Sequence, residues 1–227
     1  MTVLFVTGAG TEIGKTYVTC ALARQLRTAG RAVRAFKPVA TGMAALGDPA
    51  FQASDTAQLL AAQGLPCDET TIAACTPWRF AAPLSPDMAA AAEDRRLELG
   101  EITTWARGVI QQVSANTTVL IEGVGGVMSP IACDALNIDL IAELACPAIL
   151  VSGSYLDAIN HTLTALAALR ARAIDVRGLV VNETVGSPVD FDGTVASLAR
   201  FAPNVALIAL RHGEANVWNR ALSDPFP

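Results

Sequence analysis

A chain of 227 residues that is 52% apolar and only 16% charged has the material for one sizeable core, and it carries no low-complexity tract, so disorder is excluded. Its formal net charge of -5, with no run of Lys and Arg, excludes a protein that coats nucleic acid, because that partner demands a basic surface able to release counterions. The most apolar window, Leu140 to Val151, is broken by Glu143 and Pro147 and is too short to span a bilayer, and no basic leader precedes the first apolar run, so the expectation is a cytoplasmic protein with no membrane partner.

In chain order, short β-branched runs alternate with longer segments of helical period, the pattern of an α/β fold with a mostly parallel central sheet and helices on both faces. The predicted strands are Val3 to Thr7, Ala32 to Phe36, Thr118 to Ile121, Ala148 to Val151, Leu179 to Val181 and Val205 to Ala209. A helix is predicted over Thr16 to Ala29, where Val18, Leu22, Leu26 and Ala29 recur at four- and three-residue steps and Gly30 supplies a stop. A second runs from Asp157 to Arg172, with Ile159, Leu163, Leu166 and Leu169 on one stripe. Residues 40 to 100, rich in Ala and punctuated by Pro49, Pro66, Pro77, Pro83 and Pro86, read as short helices and loops at one end of the sheet. No internal repeat is present, and the length favours a single domain over residues 1–227. The five cysteines, at 20, 67, 75, 133 and 146, form neither a CxxC pair nor a metal-type cluster with the two histidines, and read as small apolar fillers.

Open parallel sheets bind ligands beyond the carboxyl ends of their strands, so the residues after each apolar run matter most. The first is followed by Gly8-Ala9-Gly10-Thr11-Glu12-Ile13-Gly14-Lys15-Thr16. In a loop that wraps a polyphosphate, backbone N–H groups approach the oxygens, the following helix adds the positive end of its dipole, Lys reaches the β- and γ-phosphates, and Thr ligates Mg²⁺. The strict pattern wants glycine where this chain has Ala9, a residue small enough for the loop to survive. An ordinary glycine-rich turn is the bland alternative, and a strand before it and a helix after it weigh against that. Glu122 closes the run Val119-Leu120-Ile121 in the place of a second acidic residue that holds the metal, and Gly123, Gly125 and Gly126 beside it imply a backbone that comes close to something. Lys37 ends a buried-looking strand before Pro38, an unusual place for a lysine that merely meets water. Asp55 after Ser54 reads equally as a helix-start residue.

With GAGTEIGKT, KPVATG, the Asp of SDTAQLL, EGVGG and INHTLT in that order, the chain resembles the dethiobiotin synthetases from Met1 to about Asn182. The resemblance implies a P-loop, homodimeric, ATP-dependent ligase in which CO₂ joins one amine of 7,8-diaminononanoate, ATP phosphorylates the carbamate, and the second amine closes the ureido ring as phosphate leaves. It assigns catalysis to Lys37, Lys15, Thr11 and Glu12, and substrate binding to Thr41 and Asn160. The nucleotide would meet Glu12, Ile13, Gly14, Lys15, Thr16, Tyr17, Asp55, Glu122, Gly123, Val124, Gly125 and Asn182, while Thr16, Asp55 and Glu122 would surround Mg²⁺, a hard cation suited to such oxygens. The substrate carboxylate would be received by a partner subunit over Ser154 to Asn160.

Three departures stand out. Thr41 replaces the family's usual serine, and Ser85-Pro86-Asp87 replaces Ser-Pro-His. Leu207-Ile208-Ala209-Leu210 replaces a Gly-x-Ile-Pro element beside the nucleotide base, which predicts a looser choice of nucleoside triphosphate. The rival readings are a P-loop ligase or kinase for another carboxylate or amine, and a non-catalytic nucleotide switch.

Overall fold

The structure is a computed structural model that describes residues 1–213; the single-domain expectation extends further, over 214–227, which lie outside the described residues. In chain order the elements are β1 Thr2–Gly8, α1 Lys15–Thr28, β2 Val33–Phe36, β3 Val39–Ala40, a 3₁₀ turn Pro49–Ala53, α2 Asp55–Gln63, α3 Glu69–Cys75, β4 Trp78–Arg79, α4 Pro86–Ala92 and α5 Leu99–Gln112. They continue with β5 Thr118–Glu122, β6 Pro130–Ala132, β7 Ala135–Leu136, α6 Asn137–Leu144, β8 Ala148–Gly153, α7 Ala158–Ala171, β9 Val176–Asn182, α8 Phe191–Phe201 and β10 Leu207–Leu210.

Six strands form one sheet in the order β10-β9-β8-β1-β5-β2, and every pairing in it is parallel. Successive strand side chains point to opposite faces, and the core divides accordingly. Phe5, Val119, Ile121, Leu150, Leu179 and Val181 join one cluster with residues of α5, α6, α7 and α8. Leu4, Val6, Leu120, Ile149, Val151 and Val180 join the other with residues of α1, α2 and α3. Full burial of each Leu, Ile or Phe is worth roughly 1.5–3 kcal/mol, and a one-residue slip would exchange the two sets of side chains between faces, so this alternation fixes the register.

All six predicted strands and both predicted helices are present with ends shifted by no more than three residues. The last strand starts at Leu207 rather than Val205 because the Val205 N–H is spent on the Ala202 carbonyl at the end of α8. Residues 40–100 form the short helices expected, together with the two-residue β3–β4 ladder. At the β2 edge, the Gln63 carboxamide both donates to and accepts from Ala35, each at 2.9 Å, and so takes the place of a neighbouring strand. No described helix is long and apolar enough to cross a membrane.

Because the strands are parallel, Gly8, Phe36, Glu122, Gly153 and Asn182 end at one rim. Strand β1 lies between β5 and β8, where the chain order reverses, and the loop that follows it opens into the crevice of that switch point.

Candidate active site

The loop Gly8–Gly14 runs from the end of β1 into α1, and Gly14 stands at the helix N-cap with φ 92°. A side chain there would be strained by the left-handed backbone, and its Cβ would sit 2.2 Å from Asn182 Nδ2. Asn182 closes the same corner from β9 by donating to the Ile13 carbonyl at 3.1 Å. Ala9 fits as expected, its N–H donating to Val151 O at 2.9 Å. The Lys15 ammonium lies over the loop and donates to Gly10 O at 2.8 Å.

Lys15 and Lys37 are the only two lysines in the sequence. Both are buried, at 6% and 5% exposure, yet they line one cleft of about 420 Å³ together with Thr11, Glu12, Thr41 and Asp55. Lys37 follows β2 directly, and its backbone N–H is fixed on Cys75 O at the end of α3. Its ammonium pairs with Asp55 Oδ2 and donates to Glu122 Oε1 at 2.8 Å. Thr16 donates to that same Glu122 oxygen at 2.6 Å. Asp55 reaches the cluster because Ser54 caps α2 by accepting from Ala57 N–H. A buried hydrogen bond of 2.8 Å between Thr56 and Thr76 pins the start of α2 to the end of α3. Asp55 is thus the first residue of a helix, as one reading of the sequence had it, and at the same time a partner of Lys37.

The two ammonium groups differ electrostatically. Burial, then repulsion from Lys37, lowers the Lys15 pKa to about 8. Burial also presses on Lys37, but Glu122 and Asp55 outweigh it and raise its pKa. Asp55 is pulled the opposite way: burial favours the neutral acid, and the Lys37 charge overcomes it and lowers the pKa.

The donor set suits a hard cation. Thr16, Asp55 and Glu122 contribute a hydroxyl and two carboxylates, and Glu122 Oε2 is buried with no hydrogen-bond partner. No group of three or more His, Cys, Asp or Glu side chains that could hold a metal occurs among the described residues. Mg²⁺ needs no such cage, since it keeps waters and takes phosphate oxygens beside one or two carboxylates.

The other predicted residues separate. Tyr17, Val124 and Gly125 line the cleft, whereas Ile13 is buried in the core and brings its carbonyl to Asn182. Gly123 faces away: a Cβ there would lie 2.8 Å from Asn137 Oδ1 and 2.9 Å from Phe5. Asn160 lies outside the lysine cleft, in an adjoining groove that shares Thr11 and also holds Gly10, Ser129 and His161. There its amide donates to Asp157 Oδ2 at 3.1 Å, and Asp157 is the N-cap of α7. Asp87 stands in the first turn of α4 with a buried Oδ1 that has no partner, and it does not line the lysine cleft. Sequence reasoning missed Gln58, one helical turn after Asp55 on α2, which lines the cleft and was legible from that spacing.

A phosphate-type loop, two buried lysines and two carboxylates at the switch point of a parallel sheet define a P-loop nucleotide-binding protein. The AAA domain family matches residues 2–212. The chain is 54% identical to the ATP-dependent dethiobiotin synthetase of Methylobacterium nodulans, covering 94% of this chain and 95% of that one. It is 44% identical to that of Phenylobacterium zucineum, over 97% and 93% respectively. Among solved structures, the signal recognition particle receptor FtsY from Elizabethkingia anophelis superposes with a TM-score of 0.55 at 16% identity, covering 97% of this chain and 63% of that chain, which is a likeness of fold alone. The chain belongs to the AAA domain family and, within it, to the ATP-dependent dethiobiotin synthetases.

Proposed function

We propose that this chain closes the ureido ring of dethiobiotin at the expense of ATP. The observation that carries the proposal is the meeting of its only two lysines, at the start of α1 and directly after β2, with Asp55 and Glu122 around one cleft.

The chemistry gathers anionic oxygen at every stage. An amine nitrogen of 7,8-diaminononanoate forms a bond to the carbon of CO₂ and loses a proton, giving a carbamate. A carbamate oxygen then takes the γ-phosphorus of ATP as the bond to the β-phosphate oxygen breaks and ADP departs. The second amine attacks the carbonyl carbon, and phosphate leaves with its electron pair. Fixed cations that need not reorganise stabilise such charge best in a cleft partly withdrawn from water. In this reading Lys15 holds the β- and γ-phosphates, and Lys37 meets the carbamate and the moving phosphoryl group. Thr11 and Glu12 line the reacting end, and Thr41 offers a hydroxyl to the substrate. Gly14, Thr16, Tyr17, Val124 and Gly125 border the nucleotide.

Thr16, Asp55 and Glu122 would hold Mg²⁺, which would supply charge neutralisation to the phosphates. The reading includes a homodimer, and the adjoining groove, which Asn160 and Thr11 both line, takes the distal carboxylate of the diamino acid. The reading includes a cytoplasmic location with no nucleic-acid or membrane partner.

The test is a bicarbonate-dependent assay of dethiobiotin formation, run beside Lys15→Gln and Lys37→Gln. ATP hydrolysis indifferent to the diamine and bicarbonate would reject the reading in favour of another P-loop ligase or kinase.

A further inference from the structure

The segment between Glu122 and Ser129 forms the wall between the two grooves. Val124 and Gly125 face the lysine cleft, while Gly126, Val127 and Ser129 face the groove that holds Asn160. The wall is irregular backbone, so its polar groups need partners from elsewhere. One side chain supplies several of them at once. Asn137, the first residue of α6 and 1% exposed, donates from Nδ2 to Val124 O at 2.6 Å, Gly126 O at 3.0 Å and Ser129 O at 3.1 Å. Its Oδ1 accepts from Val124 N–H at 3.3 Å, and its own backbone N–H donates to Ser129 O at 3.0 Å. A carboxamide brings two N–H bonds and an acceptor at once, a combination neither a hydroxyl nor a carboxylate can offer. The wall is also tied to the phosphate loop, since Val127 N–H donates to Gly8 O at 2.9 Å.

We propose that Asn137 is the positioning residue of this site: its carboxamide holds the Val124–Ser129 wall so that one face presents Val124 and Gly125 to the nucleotide and the other shapes the groove for the amine substrate. The inference rests on reading the lysine cleft as the ATP site. Asn137 touches neither substrate and acts through the backbone it organises. Gly123 is glycine for the same reason, since a side chain there would displace the amide from its seat.

Replacing Asn137 by Asp keeps the shape and turns the two donors into an oxygen that faces three carbonyls. Loss of a group that orients direct ligands typically weakens a site by about 10- to 100-fold. Asn137→Asp is therefore expected to raise KM for both ATP and the diamine by about 10-fold or more while kcat falls less. Ile141→Val, in the same helix but facing the core, should lower the melting temperature and leave both KM values within about twofold. Hydrogen exchange should quicken over residues 124–129 in Asn137→Asp and stay unchanged in Ile141→Val.

If Asn137→Asp does not fold, Asn137→Ser serves for the same measurements, since it keeps a hydroxyl but reaches fewer carbonyls. KM values within about twofold of wild type, together with unaltered exchange over 124–129, would overturn the proposal. A wild-type protein without dethiobiotin synthesis would instead overturn the reading of the reaction. In that case the exchange of 124–129 and the dissociation constant for ATP still decide the role of Asn137.

Discussion

The Lys37 ammonium sits 2.8 Å from Glu122 Oε1 with both side chains almost wholly shielded, at 6% and 0% exposure, and Asp55 closes on the same nitrogen from the cleft side. One positive charge thus stands between the two carboxylates that are proposed to seat Mg²⁺. Removing one partner of a buried pair leaves the other charge uncompensated, at a cost of about 3–5 kcal/mol. Lys37→Gln is expected to lose nearly all turnover and to melt earlier without ligand. Added Mg²⁺ should then raise its melting temperature more than it raises that of wild type, because the carboxylates lack their counter-charge. Calorimetry with and without Mg²⁺ decides the matter, and equal shifts in the two proteins would show that these carboxylates do not seat the ion.

Lys15 gives a sharper signature because the chain has no lysine besides it and Lys37. With its pKa lowered to about 8 by burial and by Lys37, the Lys15 amine turns nucleophilic well before an ordinary lysine, whereas Lys37 stays protonated. Amine-selective acetylation mapped by mass spectrometry should therefore label Lys15 with a midpoint near pH 8, spare Lys37, and be blocked by ATP. The same shift has a sign in stability. The folded pKa lies below the unfolded value of 10.5, so burying the ammonium is costly below about pH 8 and the cost is relieved as pH rises to 10.5. At about 1.4 kcal/mol per pH unit, the relief is on the order of 3 kcal/mol. The buried thiols of Cys20, Cys75 and Cys146, pushed up by burial, run the other way above pH 9, the ordinary thiol value. The comparison must accordingly be wild type against Lys15→Met across pH 8–10.5, where the difference should narrow or change sign. A constant difference would mean that Lys15 is not strained by its burial.

The parts of the site that were legible in the sequence are those where chemistry and chain position coincide. Val3-Leu4-Phe5-Val6 announces a buried strand by its run of apolar residues, and the loop behind it needs glycine and lysine at fixed steps, so β1 and its turn could be read together. Lys37 was legible because a cation directly after such a strand, and before a proline, is out of place unless it faces something. Asn137 was not legible. In Asn-Ile-Asp-Leu it reads as the opening of an amphipathic helix, and nothing in the spacing shows that its amide turns back to a loop eight to thirteen residues earlier. Gly123 shows the same limit: the three glycines Gly123, Gly125 and Gly126 signal close approach without saying to what, and a Cβ at Gly123 would meet Asn137 and Phe5 behind the cleft. The two-residue ladder β3–β4 is too short for any period to reveal.

Nucleotide choice follows from the end of β10. In place of a proline-containing turn, Leu210 O accepts from Glu183 N–H at 2.8 Å, and Arg211 is drawn into ion pairs with Glu183 and Asp192. Tyr17 and His212 stack with ring centroids 6.5 Å apart. A flat aromatic face accepts any base, whereas discrimination requires polar groups aimed at one edge. Turnover with CTP and GTP is therefore expected within about tenfold of that with ATP at matched concentrations. A preference for ATP beyond about a hundredfold would show that the base edge is read after all.

The corner formed by Gly14 and Asn182 supplies a test of how the phosphate loop is held. Gly14→Ala faces two obstacles: a Cβ 2.2 Å from Asn182 Nδ2, and a left-handed backbone that costs an L-residue about 1–2 kcal/mol. Truncating Asn182 to Ala removes the first obstacle and leaves the second, while by itself it forfeits the hydrogen bond to Ile13 O. In a double-mutant cycle on the dissociation constant for ATP, Gly14→Ala should weaken binding by more than about 100-fold, and adding Asn182→Ala should recover part of that loss. Coupling of this sign arises only if the Asn182 amide presses directly on the turn that presents Lys15 to phosphate. Additive losses would place Asn182 in contact with the base alone and remove it from the support of the loop.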